Sequence, residues 1–152
     1  MVESPAGWFV SLSRVGSLVA VAVTDVAAVG LDIESVASVA RAPVADVLLH
    51  PSETAASPGE LARLWCAKEA VLKAAGVGLR VSPSLLAFAG ATLASWPSEL
   101  GFDEAPGVEW FALDDDVVGA VAVAVAPVTG STAMARFLDG CARSWLQAFP
   151  GC

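Results

Sequence analysis

Short apolar runs punctuated by turn residues open the chain. WFVSLS (8–13) and SLVAVAV (17–23) flank RVG, as expected of two strands joined by a tight turn. After a further turn, VGLDIE (29–34) alternates Leu31 and Ile33 with Asp32 and Glu34. A strand there sends the aliphatic pair to one face and the carboxylates to the other. Residues 35–56 contain Pro43 and Pro51, leave room for a short helix at 44–49, and include the sole histidine, His50, read as a loop residue with no catalytic role. The period then lengthens in SPGELARLWCAKEAVLKAAG (57–76). Ser57 suits an N-cap, Pro58 the first helical position and Glu60 a capping box, while Gly76 supplies a left-handed stop. LLAFA (85–89), GVEWFAL (107–113) and VVGAVAVAVA (117–126) read as strands, with DDD at 114–116 as the hairpin turn between the last two. A closing helix is expected at 131–149, and the loop SWPSELGFDEAPG (95–107) is the best candidate for mobility. No internal repeat is visible.

With 152 residues, these elements suffice for one α+β domain with its own core. The mean hydropathy of +0.68 raises the question of a membrane. The longest apolar run, 117–128, falls short of the roughly 20 residues a spanning helix needs, so the excess is assigned to alanine and valine in strands. A signal peptide is not expected, because Glu3 stands where a basic leader would, and Thr24 and Asp25 interrupt the apolar run; the expectation is a cytosolic protein. Cys66, Cys141 and Cys152 lack metal-ligand spacing and are read as small buried or terminal thiols. A net charge of -8 argues against general nucleic-acid binding. Yet four of the eight basic residues, Arg63, Lys68, Lys73 and Arg80, fall within eighteen positions, so a local anion site is compatible with an acidic protein.

Two positions along a strand place Asp32 and Glu34 about 6.6 Å apart at the backbone, with side chains able to converge on one face. Converging anions repel unless a cation lies between them, and an all-oxygen donor set suits a hard ion, Mg2+ first and Mn2+ second. The plainer reading is the solvated face of an edge strand. On the helix, Trp65, Glu69 and Lys73 follow i, i+4, i+8 and form one stripe, from which Lys68 projects about 100° away. Glu69 can complete an oxygen cage with the strand carboxylates, and Lys73 then lies beside the anion that the metal holds. Alternatively, Glu69 and Lys73 are an exposed ion pair contributing a few tenths of a kcal/mol, with Trp65 as core packing. A metal, lysines and a phosphate-bearing ligand explain strand and helix together, the combination that phosphoryl transfer requires.

VGLDIE followed by LWCAKEAVLKAAGVGL resembles the two signature blocks of the 4'-phosphopantetheinyl transferases, G-[VIL]-D-[IV]-E and W-x-x-K-E-A-x-x-K-x-x-G-x-G-L. The tryptophan of WCAKEA and the segment FVSLSRVGSLVAVAV are similar to the larger, surfactin-synthetase-type branch, and the similarity runs from about 9 to 125. The resemblance implies a phosphopantetheinyl transferase-like fold, a small, mainly antiparallel sheet packed against a long central helix. It also implies transfer of the phosphopantetheine arm of coenzyme A to a serine of an acyl or peptidyl carrier protein, in fatty-acid, polyketide or non-ribosomal peptide biosynthesis, leaving adenosine 3',5'-bisphosphate. Carried over, Asp32, Glu34 and Glu69 hold Mg2+, Lys73 contacts the pyrophosphate, Lys68 is a second phosphate or charge-stabilising contact, and Glu69, directly or through a metal-bound water, is the base for the attacking serine.

Two departures matter. Arg14 stands where the family's S-x-S-H motif has a histidine that contacts coenzyme A; a guanidinium can grip phosphate with two donors, or be no more than an exposed turn residue. Nearly all of the first of the branch's two similar halves is missing before Trp8, so the chain is expected to self-associate, or to be excised from or complemented by something longer. The competing expectation is a non-catalytic module that keeps the fold and binds coenzyme A or a carrier protein. Carrier proteins are usually acidic, which makes Arg41, Arg63 and Arg80 the available basic groups for a partner surface.

Overall fold

The two runs flanking RVG pair as a hairpin in the computed structural model, which describes residues 2–3 and 7–124. The helix expected at 131–149, with Cys141 and Cys152, lies outside the described residues. Strand β2 (Phe9–Val15) turns at Gly16, whose φ of 57° needs a residue free of Cβ strain, and returns as β3 (Leu18–Thr24); a two-residue β1 (Val2–Glu3) pairs with the outer edge of β2. VGLDIE lies in β4 (Ala28–Ser35), followed by the short helices α1 (Val36–Arg41) and α2 (Ala45–Leu48) and then α3 (Pro58–Ala74). A small hairpin, β5 (Ala87–Ala89) and β6 (Thr92–Ser95), precedes the long hairpin of β7 (Gly107–Ala112) and β8 (Val117–Ala124).

The architecture is α+β with antiparallel sheets, in the orders β1-β2-β3, β4-β8-β7 and β5-β6. The helix expected to be long and central is α3, with 17 residues and a length of about 26 Å. Its ends follow the expected chemistry. Ser57 Oγ accepts from Glu60 N, the Glu60 carboxylate accepts from Ala56 N, and Gly76, at φ 69°, closes a Schellman motif in which Gly76 N donates to Lys73 O and Val77 N to Leu72 O.

The sheet β4-β8-β7 is covered on both faces, which is why β8 is apolar at every position. Val118, Ala120 and Ala122 join the core beneath α3, while Val121 and Val123 join a second core with Val29, Leu31 and Ala22 on the hairpin side. Register then assigns the faces of β4: Asp32 pairs with Ala120 and faces α3, whereas Leu31 pairs with Val121 and faces the hairpin. A Cβ on Gly30 would stand 1.8 Å from Ala70 O, so only glycine lets helix and strand approach this closely.

Some local structure departs from expectation. Residues 36–41 form α1 because the turn at 114–116 anchors its start: Asp116 accepts from Ser35 Oγ at 2.6 Å and Ala37 N at 2.8 Å through its carboxylate, and from Val36 N at 2.7 Å through its carbonyl. The loop 95–107 is folded in at Leu100, which is buried, and the Trp96 ring N–H donates to Phe102 O at 3.4 Å.

Candidate functional site

The close approach at Gly30 puts the carboxylate face of β4 under α3. Asp32 is 5% exposed and Glu34 half-buried, so Asp32 at least does not line the solvated face of an edge strand. A carboxylate taken this far from water needs compensation. Lys73 Nζ donates to Asp32 Oδ1 at 2.7 Å and to Leu31 O at 2.9 Å, and Ser13 Oγ donates to the same Asp32 Oδ1 at 2.8 Å. Lys73 thus pairs across to β4 rather than along the helix with Glu69. Asp32 Oδ2 and Glu69 Oε1 are buried and lack a hydrogen-bond partner among the described residues.

The three acidic groups sense one another. Burial pushes the Glu69 carboxyl above its ordinary value, with Asp32 and then Glu34 adding to the rise and Lys73 opposing it. Burial also raises Glu34, reinforced by Asp32 and countered by a backbone hydrogen bond at Ser35 and by Lys73. The Cys66 thiol, buried and donating to Val118 O at 3.6 Å, is pushed well up first by burial and then by Asp32 and Glu34. It is therefore an inert thiol in the same negative field.

A divalent cation fits this group in donor chemistry and in its two unpartnered oxygens. Among the described residues, however, no three Asp, Glu, His or Cys groups stand in coordinating arrangement. The two observations agree once range is considered: charges act on one another over many ångströms, whereas Mg2+ ligands must close to about 2.1 Å. The carboxylates are electrostatic neighbours that stand short of coordinating distance, and Lys73 supplies the countercharge.

Two of the expected ligand contacts stand elsewhere. Lys68 is fully buried on another face of α3, where its ammonium donates to Leu48 O at 2.7 Å and forms an ion pair with Glu53. Glu53 also accepts from His50 N and Phe88 N, so Lys68 ties α3 to the loop after α2 and to β5. Burial pulls the Lys68 ammonium down, and Glu53 holds it up. Arg14 is exposed on β2, on the opposite side of the strand from Ser11 and Ser13. Arg41, Arg63 and Arg80 are exposed, the last donating to Val77 O and Gly76 O at the end of α3.

Glu53 and Ser13 are the partners that sequence reasoning misses. A lysine on the core side of a helix implies a buried acid somewhere, but nothing local singles out Glu53. Ser13 alternates with Arg14 in SLSR and so is bound to face inward if Arg14 faces out.

The family model ACPS, described as the 4'-phosphopantetheinyl transferase superfamily, matches residues 28–126. The match takes in β4 and all of α3, and leaves out the β2–β3 hairpin. Comparison with curated proteins finds no match.

Proposed function

The chain belongs to the 4'-phosphopantetheinyl transferase superfamily, and from that premise we propose that it transfers the 4'-phosphopantetheine arm of coenzyme A to a serine hydroxyl of an acyl or peptidyl carrier protein. The observation that carries this reading is that Asp32 Oδ2 and Glu69 Oε1 are both buried without a hydrogen-bond partner among the described residues, on the strand and the helix that the Lys73–Asp32 ion pair joins. Mg2+, or Mn2+ in its stead, would be held by Asp32, Glu69 and Glu34, and when bound supplies positive charge to the pyrophosphate oxygens of coenzyme A. Lys73, 27% exposed, is the cation of this group and has access to solvent and to a phosphate. Glu69 accepts the serine proton in this reading, directly or through a water, its Oε1 being an acceptor without a hydrogen bond among the described residues. The serine oxygen then bonds to phosphorus as the P–O bond to adenosine 3',5'-bisphosphate breaks. Lys68 serves the scaffold in this reading.

The chain works with a second copy or a complementing domain. Leu12, Val19, Val21 and Val23 are 46% to 58% exposed on the outward face of the hairpin, a contiguous apolar surface of the kind that marks an interface. Arg14 shares that face, so its contact with coenzyme A belongs to the assembled state.

Intact-mass spectrometry of an apo carrier protein, incubated with coenzyme A, Mg2+ and the chain, tests the transfer. Addition of one phosphopantetheine, lost in Glu69→Ala, is the expected result; no addition with folded protein, while coenzyme A or the carrier still binds, would identify a non-catalytic binding module. Sedimentation of the active species as a lone monomer would contradict assembly.

A further inference from the structure

We propose that Ser13 is a positioning residue that decides which oxygen of Asp32 is left free for a divalent cation, an inference that rests on the metal-binding part of the reading above. Along the edge of β4 turned away from β8, serine hydroxyls stand where a neighbouring strand's carbonyls would be: Ser11 Oγ accepts from Leu31 N at 2.9 Å and Ser13 Oγ from Ile33 N at 3.2 Å. Both serines are buried, at 5% and 7% exposure. Only Ser13 does something further. With one lone pair committed to the Ile33 amide, its O–H donates to Asp32 Oδ1 at 2.8 Å.

The same Oδ1 accepts from Lys73 Nζ at 2.7 Å, so two donors hold one carboxylate oxygen while Oδ2 is buried without a partner among the described residues. Any rotation of the carboxylate short of the half-turn that exchanges its two equivalent oxygens would break both bonds to Oδ1. The group is therefore fixed with Oδ1 saturated and Oδ2 without a hydrogen bond among the described residues, the weakly donating Cys66 thiol being its other polar neighbour. Lys73 alone does not achieve this, because its long side chain also bonds Leu31 O and can be drawn away by a phosphate. Ser13 is short, buried and anchored on the strand backbone. Partners that orient a metal ligand in this way typically change metal affinity by about 10- to 100-fold when removed.

Ser11 is the built-in control, since it makes the same bond to a β4 amide but none to Asp32. The experiment measures Mn2+ binding to the full chain by loss of the free Mn2+ electron paramagnetic resonance signal, without coenzyme A, beside thermal unfolding of each variant. Ser11→Ala and Ser13→Ala are expected to lower Tm by similar amounts, while only Ser13→Ala weakens Mn2+ binding, by about 10-fold or more. Ser13→Thr, which keeps the hydroxyl, should bind within about threefold of wild type. If Ser13→Ala does not fold, Ser13→Cys, a weak donor of similar size, takes its place with the same expectation. Unchanged Mn2+ affinity in the Ser13 variant, or an equal loss in Ser11→Ala, overturns the positioning role and leaves the metal site standing. Wild-type protein that binds no Mn2+ overturns the metal site itself, and Ser13's role with it.

Discussion

Replacing Glu53 by alanine should destabilise the fold more than replacing Lys68 by methionine, and the asymmetry follows from what each leaves behind. Glu53→Ala strands the ammonium of Lys68, fully buried, with only Leu48 O for company. It also removes the acceptor of two backbone amides, His50 N and Phe88 N. Breaking a buried pair from one side costs about 3–5 kcal/mol, and the two part-buried amides left without an acceptor add about 1 each, so about 4 kcal/mol or more is expected. Lys68→Met also breaks the pair from one side, but the Glu53 carboxylate it leaves behind keeps both amide donors, so a cost near the low end of that range, about 3 kcal/mol, is expected. The double variant should lose less than the sum of the singles, because removing both charges avoids the stranded ion. Equilibrium urea unfolding at pH 7, followed by far-ultraviolet circular dichroism, reads all three. The reasoning is refuted if Lys68→Met costs as much as Glu53→Ala. It is equally refuted if Lys68→Met leaves stability within about 0.5 kcal/mol while raising KM for coenzyme A tenfold, which would make Lys68 a phosphate contact.

Gly30→Ala should cost about 3 kcal/mol or more in the same assay, because the new methyl would meet the backbone carbonyl of Ala70 and not a side chain that can move aside; a loss under about 1 kcal/mol would mean that α3 rides up freely. Glu34 and Glu69 have folded pKa values raised above the unfolded 4.5, so the stability they contribute is fully present below that pH and is lost as pH rises through their folded values. In EDTA, the Tm advantage of a Glu34→Gln, Glu69→Gln double variant over wild type should therefore grow from pH 4 to pH 8, and a constant or shrinking gap would count against the crowded-carboxylate picture. Arg63→Glu should weaken capture of an acidic carrier protein about tenfold at low salt with coenzyme A affinity unchanged; equal losses of both would show that Arg63 serves no separate carrier surface.

What is legible in the sequence is what is locally encoded. The ends of α3 follow from Ser57, Glu60 and Gly76, residues that satisfy backbone groups within a turn of themselves. Alternation separates Leu31 from Asp32, but does not say which side is buried, since that depends on Gly30 admitting the helix at Ala70, far along the chain. Helix α1 escapes a local reading for the same reason, its start being held by Asp116 across 79 residues of chain. At the site, the stripe of Glu69 and Lys73 is visible, whereas Lys73 pairing with Asp32 and Lys68 pairing with Glu53 require the tertiary structure. A helical wheel shows that Lys68 and Lys73 point apart, and is silent on which of them finds an acid and which remains near solvent.

A crystal of the chain soaked in Mn2+ with coenzyme A, and its anomalous difference map, tests the central claim most directly. One peak is expected between β4 and α3, with Asp32 Oδ2 and Glu69 Oε1 drawn to about 2.2 Å from it and Glu34 in the same coordination sphere. A peak bound by other residues, with Glu69 turned away from Asp32, would contradict it.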